Sequence, residues 1–320
     1  MKKTITGMIP AFRDNFSRRK FLEYQLKGLL YIAAGSSGLF APGKLFANPE
    51  PDIAVVKGGA AEATRAAVEL MGGMKKFVKK GDKVLIKPNM SFPNLPTVAS
   101  TTNPDVVKTV ALMCREAGAE NIIIADYPLK RSEFCLKRSG ILDACEKVEG
   151  TTVIGATSDR LYQDTDFPGA KKMNRNGVLK EALKADVLIA VPVAKSHSGA
   201  AVSLSMKGMM GLVWDRAGMH TKGLTSTIVD MCSVLKADLT IIDGIRVLST
   251  NGPGGPGKVL NENTIIVSKD MVAADSFAVS RFKWSGRNYK AHQVPYIREA
   301  HERGLGRMDI ENLTVKEIAL

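Results

Sequence analysis

Apolar residues along this chain fall into short runs separated by amphipathic stretches, and the strongest run lies just past the middle. Val187-Leu-Ile-Ala-Val-Pro-Val-Ala194 consists of β-branched and small residues with no polar position, the pattern of a strand buried on both faces. It opens directly into Lys195-Ser-His197. Upstream, Ile53–Val56 and Lys83–Lys87 read as strands flanking a helix from Ala60 to Met74. Asn103-Pro104 opens a helix that ends at Gly118, with asparagine as cap and proline in the first turn. Asn121–Asp126 is a buried strand ending in a carboxylate; residues 132–148 are helical with a break at Gly140, and Val153-Ile154 starts another strand. Residues 155–177 are polar and are expected to be irregular. Leu179–Lys184, Ser203–Leu212 and Thr225–Leu235 read as helices, and Leu239–Asp243 and Thr264–Val267 as strands. Asp270 caps a helix over Met271–Phe282, followed by a helix over 292–303 and a strand over Leu313–Ile318. This alternation predicts a three-layer α/β fold, a mostly parallel sheet with helices on both faces, as a single domain over residues 48–320.

Charge divides the chain unevenly. Of its 320 residues, 24% are charged and the net charge is +13, but residues 1–47 alone carry a net +6. The remainder is moderately basic, with no lysine tract and no aromatic interleaving, so nucleic acid is not the expected partner. An anionic small molecule or cofactor suits it better. Within the first segment, Ser17-Arg18-Arg19-Lys20-Phe21-Leu22 matches the twin-arginine export pattern, and a weakly apolar stretch broken by Gly35 and Gly38 follows. The expectation is a leader over 1–47 read by the twin-arginine translocase, cleavage after Leu45-Phe-Ala47, and a periplasmic protein; the alternative is an uncleaved membrane anchor. Cys114, Cys135, Cys145 and Cys232 form no Cys-x-x-Cys and no ferredoxin-like run, so their spacing does not support an iron–sulfur cluster. Cys135 and Cys145 are the only pair close in sequence, and whether they bridge is open.

Lys87-Pro-Asn89, Thr102-Asn-Pro104, Asp126, Ala185-Asp186, Lys195-Ser-His197, Ser205-Met-Lys207-Gly208, His220, Asp243-Gly244, Gly252-Pro-Gly and Ser268-Lys-Asp270 through Asp275 occur in that order. Together they resemble the bacterial and archaeal family called domain of unknown function 362, over roughly residues 50–310. Members of that family often carry a ferredoxin-like segment; this chain lacks those cysteines, so cluster binding does not carry over. The resemblance implies no established reaction.

Ligands of open α/β sheets bind beyond the carboxyl ends of the strands. Lys195, His197, Lys207 and His220 gather near such an end and are the candidate catalytic groups: lysine can hold an anion, form an imine or act as a base, and histidine can ligate a metal or shuttle protons. Lys87, Asn89, Asp126, Asp243 and Asp275 are candidates for binding a ligand or cofactor. Lys87-Pro-Asn89 fits a clamp for an anion, or a turn in which Asn89 bonds backbone. For Asp126 or Asp243 alone, turn-capping is the simpler role. Two histidines 23 residues apart lack the spacing of a zinc motif, and metal identity stays open. Gly252-Pro-Gly-Gly-Pro-Gly257-Lys258 is not a phosphate loop, because Val259 replaces the magnesium-binding hydroxyl and two prolines remove amide donors. It is expected to be a rigid loop bordering the site. Trp214, Met206, Met209 and Met210 are expected to fill core. The leading reading is an enzyme that uses lysine and histidine for proton transfer on an anionic substrate. A loose likeness in residue types to nickel-pincer racemases suggests racemisation as one reaction to try. The rival is a non-catalytic periplasmic binding or redox-cofactor maturation protein.

The export pattern gives the first prediction. Replacing Arg18 and Arg19 together by lysine should leave the precursor in the cytoplasm, because the translocase reads both guanidinium groups. Cell fractionation of the tagged double variant checks it; unchanged delivery to the cell envelope refutes the leader.

Overall fold

The structure is a computed structural model that describes residues 50–320; the expected leader lies outside the described residues. The first half runs β1 (Ile53–Lys57), α1 (Ala60–Leu70), β2 (Lys83–Pro88), α2 (Pro104–Ala117), β3 (Asn121–Asp126), α3 (Ser132–Arg138), α4 (Ile141–Cys145), β4 (Thr151–Gly155), β5 (Tyr162–Asp166) and β6 (Arg175–Leu179). Next come α5 (Lys180–Lys184), β7 (Val187–Val191), β8 (Val193–His197), β9 (Ala201–Ser203), α6 (Ser205–Gly208), α7 (Arg216–Thr221) and α8 (Leu224–Cys232). The rest is β10 (Leu239–Leu248), β11 (Val259–Ser268), α9 (Met271–Arg281), β12 (Lys283–Trp284), β13 (Arg287–Asn288), α10 (Pro295–Glu302) and β14 (Val315–Ala319).

A 10-stranded sheet has the order β14-β1-β11-β10-β7-β2-β3-β4, with β8 beside β10 and β9 on β8. Neighbours from β10 through β7, β2 and β3 to β4 are parallel, as are β1 and β14. Antiparallel β11 joins the two parallel groups. The sheet is therefore mixed but mostly parallel. Successive side chains of a strand point to opposite faces, and here each face meets its own core. Val84 and Ile86 join the core built by α1 to α4, whereas Leu85 joins the core built by α6, α8, α9 and α10. Helices cover both faces, which is why the strands read as unbroken apolar runs rather than alternating ones.

Three expectations change. Residues 155–177 are not wholly irregular: β5 and most of β6 form an antiparallel hairpin there. Arg175 lies opposite Asp166 and 3.4 Å from Asp164 at its exposed end, while Tyr162, Val178 and Leu179 are buried at the other, too short an apolar stretch to mark two strands. The expected helix over Ser203–Leu212 is instead the end of β9, one turn of α6 and a 3-10 turn over Met209–Leu212. Glycines at 208 and 211 weaken helix there. The strands expected at Leu239–Asp243 and Thr264–Val267 are the inner halves of two 10-residue strands that form one long hairpin closed by the Gly/Pro loop.

The layering predicts where truncation hurts. Ile124 on β3 is fully buried, whereas Val315 on edge strand β14 is 38% exposed. Ile124→Ala should lower the unfolding free energy by about 2–5 kcal/mol and Val315→Ala by less than about 1 kcal/mol, read from urea denaturation.

Candidate functional site

The carboxyl edge of the parallel strands is shaped by one proline. Pro192 has no N–H, so the ladder breaks between β7 and β8. β7 lies between β2 and β10, while β8 pairs with β10 and β9. Side chains fill the gap. Asn89 Oδ1 accepts from the Val193 amide at 3.0 Å, and Thr102 Oγ1 donates to the Val191 carbonyl at 2.8 Å. Asn89 thus bonds backbone through its oxygen, which fixes its Nδ2 as the end left to donate.

Lys87 ends β2 and Asp126 ends β3, and both are buried. Their ion pair spans 3.0 Å. Lys87 also donates to the Pro88 carbonyl. Asp126 accepts from the Met90 amide (2.8 Å), Ser91 Oγ (2.7 Å) and the Tyr127 amide (2.9 Å). Gly211 passes directly over this pair, and a Cβ there would collide with Asp126 Oδ1. Lys195 donates to the Ser100 carbonyl at 2.6 Å and lies 5.9 Å from the Phe92 ring centroid. Lys207, on α6, has no hydrogen-bond or ion-pair partner among the described residues. Burial, partly opposed by Asp126 and reinforced by Lys207 and Lys87, lowers the pKa of Lys195 to about 7. Burial, with Lys87 and Arg216 nearby, lowers that of Lys207 to about 8.

His197 ends β8. Its Nδ1 accepts from the Gly199 and Ala200 amides at 3.0 and 3.1 Å. The ring is then the tautomer with its proton on Nε2, a donor. Burial, followed by the charges of Lys207 and Lys195, pushes its pKa down to about 3, so it is neutral at physiological pH. It stands as a fixed N–H donor rather than the proton shuttle its sequence context suggested. The pKa of His220, near the end of α7, is also lowered, by burial and then by Lys207 and Arg216.

A cavity of about 500 Å³ opens at this edge. Asn89, Asp126, Lys195, His197, Lys207 and His220 line it together. Lys87 lies behind Asp126, joined to it by the ion pair. Asp243 and Asp275 do not line it, which corrects the expectation for both. Asp243 accepts from the Asn103 amide (2.7 Å) and the Ile245 amide (3.0 Å), tying the start of α2 to β10. Asp275 accepts from the Ser205 amide (2.9 Å), Ser205 Oγ (2.6 Å) and the Met206 amide (3.1 Å), holding the start of α6. Burial raises their pKa values to about 6 and about 7, against the pull of those donors. Pro253 of the Gly/Pro loop borders the cavity. Met206, Met209 and Met210 are buried, but Trp214 is 38% exposed, in tilted ring contact with Tyr127 and with Tyr162 at the margin of the core.

Arg216 also lines the cavity and was missed in the sequence. Its guanidinium lies 3.5 Å from the Tyr127 ring centroid, and its buried Nε has no partner among the described residues. The signal was its spacing: Arg216 and His220 are four apart on α7 and share a face. Among the described residues, no group of three or more His, Cys, Asp or Glu is placed to hold a metal ion. The four cysteines are free and buried, and they do not converge: Cys232 sits in one core, Cys114, Cys135 and Cys145 in the other. That donor set does not fit a cluster held by a single chain.

Comparison with known proteins places the chain. Thylakoid-associated protein sll1697 from Synechocystis sp. (strain ATCC 27184 / PCC 6803 / Kazusa) is 30% identical over 221 residues, 66% of each chain. The match thus spans just under two thirds of that relative. The lactate racemase apoprotein from Thermoanaerobacterium thermosaccharolyticum matches with a TM-score of 0.47 and 14% identity, over 71% of this chain and 56% of that one. At that distance neither substrate nor cofactor carries over. Residues 84–280, most of the described chain including every lysine and histidine of the cavity, match the family described as Domain of unknown function (DUF362), and to that family this chain belongs.

Proposed function

We propose that the cavity binds a small anionic organic molecule and that its lysine amines move protons on it. One observation carries this reading: N–H donors dominate the polar lining, beside three serine hydroxyls that can donate as well. Lys195, Lys207, Arg216, the Nε2–H of His197 and the Nδ2 of Asn89 present N–H groups. The one carboxylate of the lining, Asp126, is already taken by Lys87 and three further donors. An anion entering such a site gains charge-assisted hydrogen bonds and meets no free carboxylate to repel it.

The chemistry follows from the amines. A base works best when its pKa lies near the working pH. Lys195 at about 7 and Lys207 at about 8 are each a mixture of amine and ammonium near neutrality. Arg216 stays charged and can orient a carboxylate. The Nε2–H of His197 can hydrogen-bond an oxygen on which charge develops. The rival, a binder without turnover, uses the same donors. Export by the twin-arginine route to the periplasm, or retention on the membrane by an uncleaved leader, belongs to the same proposal and rests on Ser17–Leu22. Among the described residues no helix is long and apolar enough to cross a membrane.

Calorimetry with inorganic phosphate and with pyruvate tests binding. Affinity for pyruvate, whose own charge is constant here, should fall as pH rises from about 6 to about 9, because both lysines are cationic below their pKa values and lose that charge above them. Lys207→Met should weaken binding by about tenfold or more. Affinity independent of pH and of Lys207 refutes the anion site. Proton NMR of pyruvate in D2O separates enzyme from binder. Deuterium entering the methyl group faster with wild type than with Lys195→Met supports proton transfer; binding without exchange supports the binder.

Protonation also leaves a mark on stability. The folded chain holds these amines below the ordinary 10.5, so between about 7 and 10.5 the unfolded chain binds more protons. Their contribution to stability should therefore rise with pH across that window. Lys195→Met should flatten the rise, as read from urea midpoints in anion-free buffer.

A further inference from the structure

Three lysines are drawn to the carboxyl edge of the sheet, and the fold uses two of them. Lys87 is bound to Asp126 and to the Pro88 carbonyl, and Lys195 to the Ser100 carbonyl. Lys207 lines the cavity and meets no acceptor among the described residues. The largest charges it senses are cations, Lys87 and Arg216. Burial and these cations outweigh the opposing charge of Asp126, so a larger share of Lys207 than of a surface lysine is neutral amine near neutrality. A neutral amine is a nucleophile. Arg216 supplies what such a nucleophile needs beside it: a fork-shaped cation that reaches the Tyr127 carbonyl only at 3.5 Å and whose buried Nε has no partner among the described residues.

We propose that Lys207 traps carbonyl groups: it forms an imine with a small 2-oxo acid whose carboxylate is held by Arg216. This deepens the anion-site reading and rests on it. The Lys207 nitrogen attacks the carbonyl carbon, and the π electrons move to the oxygen. A proton passes from nitrogen to that oxygen, giving a carbinolamine. Lys195, as ammonium, protonates the hydroxyl so that it leaves as water, and takes back the second proton shed by nitrogen. Amine and carbonyl thus become imine and water with no change of oxidation state. The Nε2–H of His197 is the donor available to the carbonyl oxygen during attack. Once formed, the imine withdraws electrons from the adjoining carbon, which makes a proton there easier to remove.

The test uses the full chain, glyoxylate as the probe and cyanoborohydride to fix the imine, at about pH 7.5. Peptide mass spectrometry should find Lys207 carboxymethylated about tenfold or more ahead of surface lysines, because a larger share of it is unprotonated. Phosphate should protect it. Lys207→Arg should lose this mark while still binding phosphate, with its melting temperature reporting the fold. Marking spread evenly over exposed lysines, or falling on Lys195, overturns the imine. Phosphate binding without preferential marking rejects this step and leaves the anion site intact. Binding of neither phosphate nor glyoxylate by wild type rejects the reading beneath it. If Lys207→Arg fails to fold, the site of marking and its protection in wild type still decide the matter.

Discussion

Everything at the site hangs from the Lys87–Asp126 pair. Taking both charges out of water costs several kcal/mol for each, about what their attraction returns unless further hydrogen bonds complete them. Here those bonds exist, from Met90, Ser91 and Tyr127 to Asp126 and from Lys87 to Pro88. The pair therefore ties the ends of two neighbouring strands to the chain that leaves each of them. Breaking it by removing one partner would strand the other in a dry interior. Gly211 lies against it because no side chain fits there, and that brings the Met209–Leu212 turn, and Lys207 just before it, over the strand ends.

A second consequence of satisfying Asp126 inside the protein is polarity. With Asp126, the one carboxylate lining it among the described residues, occupied, the cavity faces its visitor mainly with N–H groups. His197 joins that side because two amides from its own turn occupy Nδ1. Its role is set by backbone geometry three residues away, and the same imidazole without that turn would be an ordinary base. Lys195 and Lys207 are the exceptions, since each can shed a proton near neutrality and become an acceptor.

The sheet was legible because it is covered on both faces: buried parallel strands write themselves as apolar runs, and residues at their ends share an edge. Lys87, Asp126, Lys195 and His197 could be placed together on that rule alone. The rule does not say which way an end residue turns. Asp243 follows an apolar run as Asp126 does, yet β10 continues past it, so its carboxylate meets the amides of Asn103 and Ile245 instead of the cavity. Asp275 was misplaced for a different reason: it lies inside α9, where position on the helix sets direction, and it turns to Ser205. Arg216 was hidden because it belongs to no strand. The β5–β6 hairpin was hidden because polar and charged residues fill most of it, and Tyr162, Val178 and Leu179 are too few to set an apolar period.

The place of β1 has a consequence for how the molecule is made. It is the first strand of the described chain, and it pairs with β11 on one side and β14 on the other. Both partners lie far along the sequence, so β1 has neither pairing partner until β11 and β14 have been made. Loops this long close slowly, and sheets that depend on them fold late. Until then β1 is an apolar strand with both edges open, an invitation to chaperones or to aggregation.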